Sequence, residues 1–473
     1  MADANLDPRS FGASFKTFLD QVVAQAPEEE PAIRRRLLDH FGTDPAALPV
    51  VSEVFATPDR PNLHLALEEF LNAGGTTSDS FGVASPYGMH GLTLSALVAP
   101  RGGGRQAPDM SVGPVQFENV TLDEGRVVAC VKCGMFVVRR GEQRIAILVH
   151  GTDRGFRDTL NVEVMSSQRA DAEAVLADLR SAMRKRNVYR GRVISLEQGC
   201  DGSVEIRFHH LPAVARGDIV LPEGLLDRIE LQTVRFGRLR EKLRAMQRHL
   251  KRGVLLHGPP GTGKTFTAMY LASQMPDRTV ILITRRGVAT IEPSCRLARL
   301  LEPSTVIVED VDLIAEERTR SEPGRMSLLF ELLNQMDGLS DDADVLFLLT
   351  TNRPDLLEPA LAARPGRIDL AVEVPLPDDA CRRQLFERYG RGLELHLANR
   401  DDLVARTAGV SASFLRELLR KAALLSADEG KSTAVDERHV SAALKELLID
   451  GGALTKSLLG ASRISGEGPV QRR

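Results

Sequence analysis

A chain of 473 residues exceeds what one ordinary hydrophobic core organises and implies about three or four domains. At 43% hydrophobic and 26% charged it has the composition of a soluble globular protein, while a net charge of −3, 4% aromatics and no tryptophan disfavour a nucleic-acid motor, which needs a positive groove and stacking surfaces. An odd number of cysteines, no signal-peptide pattern at Met1–Asp7 and no long uninterrupted apolar stretch lead us to expect a cytoplasmic protein with no membrane partner.

In chain order, residues 11–72 carry helical spacing, as in Phe11, Phe15, Phe18 and Val22, then Leu37 and Phe41, then Leu63, Leu67 and Phe70. A helical N-terminal domain over 1–75 is expected. Gly, Ser, Thr and Pro dominate from Gly74 to Pro114, so 76–114 reads as linker or mobile loop. Short β-branched runs follow, with Arg139-Arg140-Gly141-Glu142 as a hairpin turn. Ser166 or Ser167 would cap a helix to about Asn187 with Ala174, Val175, Leu179 and Met183 inward, and strand-like runs follow at 191–196 and 204–208. Residues 115–222 are therefore expected to be an α+β N-terminal module. Its lone Cys130-Val131-Lys132-Cys133 lacks a second ligand pair and reads as buried thiols rather than zinc.

The chemistry concentrates after residue 222. Gly258-Pro259-Pro260-Gly261-Thr262-Gly263-Lys264-Thr265 fits G-x-x-x-x-G-K-[ST] between an apolar run, Val254-Leu255-Leu256, and a helix-prone run opening at Phe266. Such a loop offers backbone N–H groups and a helix N-terminus to a polyphosphate. Lys264 would neutralise the β and γ oxygens, and the Thr265 hydroxyl would ligate Mg²⁺. An apolar strand, Thr305–Val308, then delivers Glu309, Asp310 and Asp312, the carboxylates that Mg²⁺-dependent hydrolysis needs at a strand end. A further strand ends in Thr351-Asn352, whose amide would hold the lytic water. Arg364 and Arg367 follow in a Pro/Gly loop suited to the γ-phosphate of a neighbouring subunit.

Residues 223–450 resemble an ATPase of the AAA family within AAA+, akin to FtsH, the valosin-containing protein and the proteasomal ATPases. The resemblance rests on 258–265, the acidic strand end 309–312, L-L-N-Q-M-D-G-L (332–339), T-T-N-R-P-D (350–355) and R-P-G-R-I-D (364–369). It implies an α/β P-loop NTPase domain with a parallel five-stranded sheet over 223–380, a helical lid over 381–450, ATP and Mg²⁺ as ligands, and a homo-oligomer, usually a hexameric ring; 451–473 would be a disordered tail. The acidic pair reads Glu309 then Asp310, the order of the Bcs-type members, which gives Glu309 the metal role and Asp310 the base role. Where threading relatives carry a pore aromatic, this chain has Arg285-Arg286-Gly287-Val288-Ala289, and Gly409–Leu415 departs from the lid motif at Ala412, Ser413 and Phe414. No H-E-x-x-H occurs, so metalloprotease chemistry is absent from this sequence.

The expected function is a Mg²⁺-dependent ATP hydrolase that assembles with itself and remodels an unidentified protein client held by residues 1–222. The alternative is an ATP-gated scaffold that hydrolyses little. Arg416 reads as a surface helix arginine.

Overall fold

The computed structural model describes residues 8–25, 30–84, 92–99, 110–151, 159–199, 204–284, 290–312, 328–338, 340, 342–357, 367–430 and 433–447. The chain folds as two compact units, Met1–Arg186 and Asn187–Arg473.

The first unit is built on a seven-stranded antiparallel sheet. Its strands are β1 (Val50–Ala56), β2 (Thr76–Ala84), β3 (Ser111–Gly113), β4 (Gln116–Thr121), β5 (Val127–Arg140), β6 (Gln143–Gly151) and β7 (Thr159–Ser166). They lie in the order β1-β7-β6-β5-β2-β3, with β4 sharing the β2 side of the long strand β5. Both faces are covered, which explains why the strands read as continuous apolar runs rather than alternating ones. Ile145, Ile147 and Val149 point to one face, under the helices Arg60–Leu71 and Arg169–Lys185. Ala146 and Leu148 point to the other, under Ala32–Phe41 and Leu94–Val98. Gly141 and Glu142 turn the β5–β6 hairpin as expected, with Arg140 opposite Gln143 and Gly141 at φ 58°.

Four expectations change here. Among the described residues, 1–75 do not form a separate helical domain and 76–114 are not a bare linker, because β1, β2 and β3 fall inside those ranges and complete the sheet; 85–91 and 100–109 lie outside the described residues. Helices of this size bury their apolar faces only against another layer. Ser166 caps nothing; its hydroxyl donates to the Arg144 carbonyl at 3.1 Å, and the helix starts at Arg169 after Gln168 with no side-chain cap. The inward residues of that helix are Ala172, Val175, Leu176 and Leu179, and Ala174 faces solvent. Cys130 and Cys133 are buried in β5, and burial pushes the Cys130 thiol up to about 11.

The second unit carries a seven-stranded sheet. Its strands are β8 (Val193–Gln198), β9 (Val204–His209), β10 (Arg252–His257), β11 (Thr279–Ile283), β12 (Ser304–Val308), β13 (Val345–Thr351) and β14 (Leu370–Glu373), in the order β14-β10-β13-β12-β11-β8-β9. All neighbours are parallel except β8 and β9. The expected five-stranded parallel sheet is therefore present and is extended by two strands. β8 and β9 were expected in the 115–222 module; instead Val193, Ile194 and Ser195 pair with Val280, Ile281 and Leu282. The reason is core material: Tyr189, Ile194 and Leu196 pack with Ile281, Val306 and Phe347.

After β14 the helices Asp379–Tyr389, Arg400–Arg406, Ala412–Asp428 and Glu437–Lys445 and a small parallel pair, β15 (Glu394–His396) with β16 (Ala434–Asp436), enclose their own core around Phe414, Leu415, Leu418 and Val440. Among the described residues no helix is long and apolar enough to cross a membrane. The tail 451–473 lies outside the described residues.

Candidate functional site

The sheet order places β10, β13 and β12 side by side, so their C-terminal ends open on one crevice. In open parallel sheets this is where ligands bind. The loop Gly258–Gly263 leaves β10 there and feeds the helix Lys264–Ser273. Gly258 sits at φ 138°, and a Cβ on it would lie 2.4 Å from the Val374 carbonyl oxygen; Gly261 and Gly263 are also left-handed, at φ 75° and 96°. Only glycine makes that turn at that approach. Thr262 is buried and its hydroxyl donates to the Pro259 carbonyl at 3.0 Å, which holds the loop closed on itself.

Lys264 is buried, and its Nζ donates to the carbonyls of Gly258 at 2.9 Å and Pro259 at 2.7 Å. Burial pushes its pKa down to about 8, against the opposing pull of Asp310 and Asp312. A lysine at that value is a cation below pH 8 and loses charge above it. Polyphosphate would favour the charged form, so binding takes up a proton at alkaline pH. ATP affinity is expected to be flat below about pH 8 and to fall above it by at most roughly tenfold per pH unit. Titration of a fluorescent ATP analogue across that range checks this, and affinity that rises with pH would refute it.

At the end of β12 the backbone turns sharply. Asp310 adopts φ 48°, a conformation that non-glycine residues rarely take and that often marks a functional position. Its amide donates to the Thr350 hydroxyl at 3.1 Å, and Asn352 Nδ2 donates to its Oδ1 at 3.1 Å. The two residues expected to treat the water thus meet in one hydrogen bond. Glu309 is half-buried beside them, and desolvation first, then the Asp310 charge, raises its pKa. Two adjacent carboxylates with one raised in this way form a hard-oxygen site that a divalent cation would relieve. The exposed Thr265 hydroxyl, at the start of the helix after the loop, is the other oxygen expected for Mg²⁺.

Two residues to which the sequence assigned no separate task belong to this arrangement. Asp312 is buried, and its Oδ1 accepts from the Thr351 hydroxyl at 2.7 Å and the Asn352 amide at 3.2 Å, so it fixes the turn that aims Asn352. Its signal was available as a third acid two residues beyond the pair. Ser413 has no such signal. Its amide and hydroxyl both donate to the Gly261 carbonyl, at 3.1 Å and 3.2 Å, joining the lid to the phosphate loop across the sequence. Beside that contact lies a cavity of about 500 Å³ whose lining includes Ile219, Gly263, Thr267, Tyr389 and Arg416. Arg416 is exposed on its helix, but it forms part of this wall.

The two candidate arginines fare differently. Arg367 is not displayed: it is buried and paired with Asp337 of the same chain, and desolvation lowers its pKa. Arg364 lies outside the described residues, as do 285–289, where the pore aromatic is missing. Pro260 and Phe266 line the exposed lip of the loop, Phe266 at 41% exposure.

Residues 254–376 match the family model described as the ATPase family associated with various cellular activities, AAA. Among curated proteins, the ATP-dependent zinc metalloprotease FtsH 2 of Sphaerobacter thermophilus is 34% identical over 208 residues, covering 42% of this chain and 32% of that protein. The human ATPase family gene 2 protein homolog A is 34% identical over 206 residues, covering 41% of this chain and 23% of that protein. The alignment spans 38% or less of the length of the first three FtsH relatives. A solved katanin structure concerned with self-assembly covers 53% of this chain and 90% of its own, at 25% identity and a TM-score of 0.42.

Proposed function

We propose that this chain, whose residues 254–376 match the AAA family of ATPases, is a Mg²⁺-dependent ATP hydrolase whose turnover remodels a protein client. The observation that carries the reading is the convergence of Lys264, Glu309, Asp310 and Asn352 at adjacent strand ends, with Asn352 bonded to Asp310.

Each residue then has one task. Lys264 turns from the Gly258 and Pro259 carbonyls to the phosphate oxygens, and the loop amides take the remaining charge. Thr265 and Glu309 are the residues that would hold Mg²⁺, which would supply charge neutralisation for the phosphates. Asn352 orients the attacking water. Asp310 Oδ1 is occupied by Asn352, so Oδ2 takes the water's proton as the bond to the γ-phosphorus forms and the bond to the leaving ADP oxygen breaks. Asp312 positions the Asn352 backbone. Tyr389 and Ile219 border the cavity where the base would lie.

The reading includes a homo-oligomeric ring, in which Arg364 reaches the neighbour's γ-phosphate. With Arg367 held by Asp337, Arg364 is the residue left for that role. The expected result is that Arg364→Ala and Lys264→Ala are each inactive alone and regain part of the parent's ATP turnover when mixed, because an Arg364→Ala loop can sit beside an intact finger. Turnover that stays at zero in the mixture sinks the in-trans assignment. The ATP-gated scaffold rests on the Glu309-Asp310 order, and a steady-state assay separates it: tight ATP binding with no turnover in the parent protein.

A further inference from the structure

β1 ends the sheet of the first unit, and among the described residues no strand pairs with its outer edge. Its register against β7 is unbroken over seven residues, without a bulge. The Ser166 amide donates to the Pro49 carbonyl at 3.4 Å, so Pro49 and Ser166 are a hydrogen-bonded pair. Such pairs alternate along an antiparallel ladder. Residues 51, 53 and 55 therefore spend their N–H and C=O groups on β7, and Val50, Ser52 and Val54 aim theirs outward, while the outward Ala56 amide donates to the Asp59 carboxylate.

Natural sheets protect an edge with lysine, proline, a bulge or a short strand. β1, Val-Val-Ser-Glu-Val-Phe-Ala, has no lysine, proline or bulge, its one charge, Glu53, is neutralised by Arg180, and Val54 is 62% exposed. Beside the edge, between β1 and the helix Arg169–Lys185, runs an open groove of about 760 Å³ lined by Val51, Glu53, Ala170, Ala174, Ala177 and Arg180. The small alanine side chains leave room there for side chains of an added strand. The charges along it are already matched: Glu53 pairs with Arg180 at 3.2 Å and Glu173 with Arg169 at 2.7 Å.

The geometry points to β1 as a docking edge for an extended, uncharged segment of a partner protein, which adds as an eighth strand and sets alternate side chains into the groove. Unpaired backbone groups call for a backbone, and a neutral groove calls for uncharged side chains. The inference rests on the reading that the N-terminal unit recruits a client, and it names where and in what conformation the client is held.

The test uses the full-length chain without nucleotide and a fluorescein-labelled peptide of alternating threonine and valine, followed by anisotropy. Saturable binding is expected, and the same peptide N-methylated at alternate backbone amides should bind at least about tenfold more weakly, because it has lost the ladder donors. Val54→Pro removes only an outward N–H and should weaken binding comparably with an unchanged melting temperature. Ala174→Trp, which fills the groove from the helix side, should do the same. Equal binding of the N-methylated peptide, or no saturation by the parent peptide, overturns the proposal. So does a concentration-dependent dimer that Val54→Pro abolishes while peptide binding is absent, since the edge then serves a second copy. ATP turnover measured on the same preparations separates the two readings: turnover without peptide binding sinks the docking edge alone, and peptide binding without turnover sinks the hydrolase alone.

Discussion

Replacing Lys264 with alanine is expected to weaken ATP binding by roughly a few hundredfold while leaving the fold intact. The ammonium makes charge-assisted hydrogen bonds to phosphate, and losing two of them corresponds to about 3–4 kcal/mol. The fold should survive because Nζ bonds only to two carbonyls of its own loop, Gly258 and Pro259. Alanine leaves those acceptors short of a donor but also removes a desolvated charge whose pKa burial has driven to about 8. The two effects oppose each other. Titration with a fluorescent ATP analogue, alongside thermal melting of the empty protein, measures both. Parent-like affinity would mean that the loop binds something other than a polyphosphate.

Asp310→Asn should separate binding from hydrolysis: ATP affinity close to the parent's, and turnover lowered by about a hundredfold or more, the range associated with losing a general base. The backbone argument favours a clean variant. Asp310 is held at φ 48°, and asparagine tolerates the left-handed region at least as well as aspartate. An asparagine carbonyl can also still accept from Asn352 Nδ2, where Oδ1 accepts now at 3.1 Å. What is lost is the basic oxygen. If Asp310→Asn turns over like the parent while Glu309→Gln does not, the two carboxylates have exchanged roles and the order found in most AAA proteins applies. Glu309 carries a raised pKa from burial and from its neighbour, so its proposed metal role should fade as pH falls, which would be read as a loss of Mg²⁺ affinity.

The lid contact gives the site a connection that neither variant touches. Ser413 grips the Gly261 carbonyl twice, in a loop where a Cβ on Gly261 would come within 2.8 Å of the Ser411 hydroxyl. Ser411 is itself engaged in capping the helix Ala412–Asp428 through the Phe414 amide. The phosphate loop and the lid helix are thus built against each other.

What the sequence determined by itself was where the candidate site lies. The phosphate-loop pattern is written in eight consecutive residues because a nest of backbone amides needs glycines at fixed offsets. Glu309, Asp310 and Asn352 were legible because each follows an apolar run of strand length, and in parallel sheets the functional residues stand at strand ends. The tertiary structure decided everything that depends on a distant partner. Strand pairing draws on side-chain and backbone contacts far apart in the chain, which local periodicity does not encode. That is why β8 and β9 joined the sheet of the second unit rather than that of the N-terminal unit, and why Val50–Ala56, hidden among helical segments, became a sheet edge. It is also why Arg367 turned inward to Asp337: a guanidinium in a Pro/Gly loop takes the carboxylate that folding brings to it, and only the fold shows which one that is.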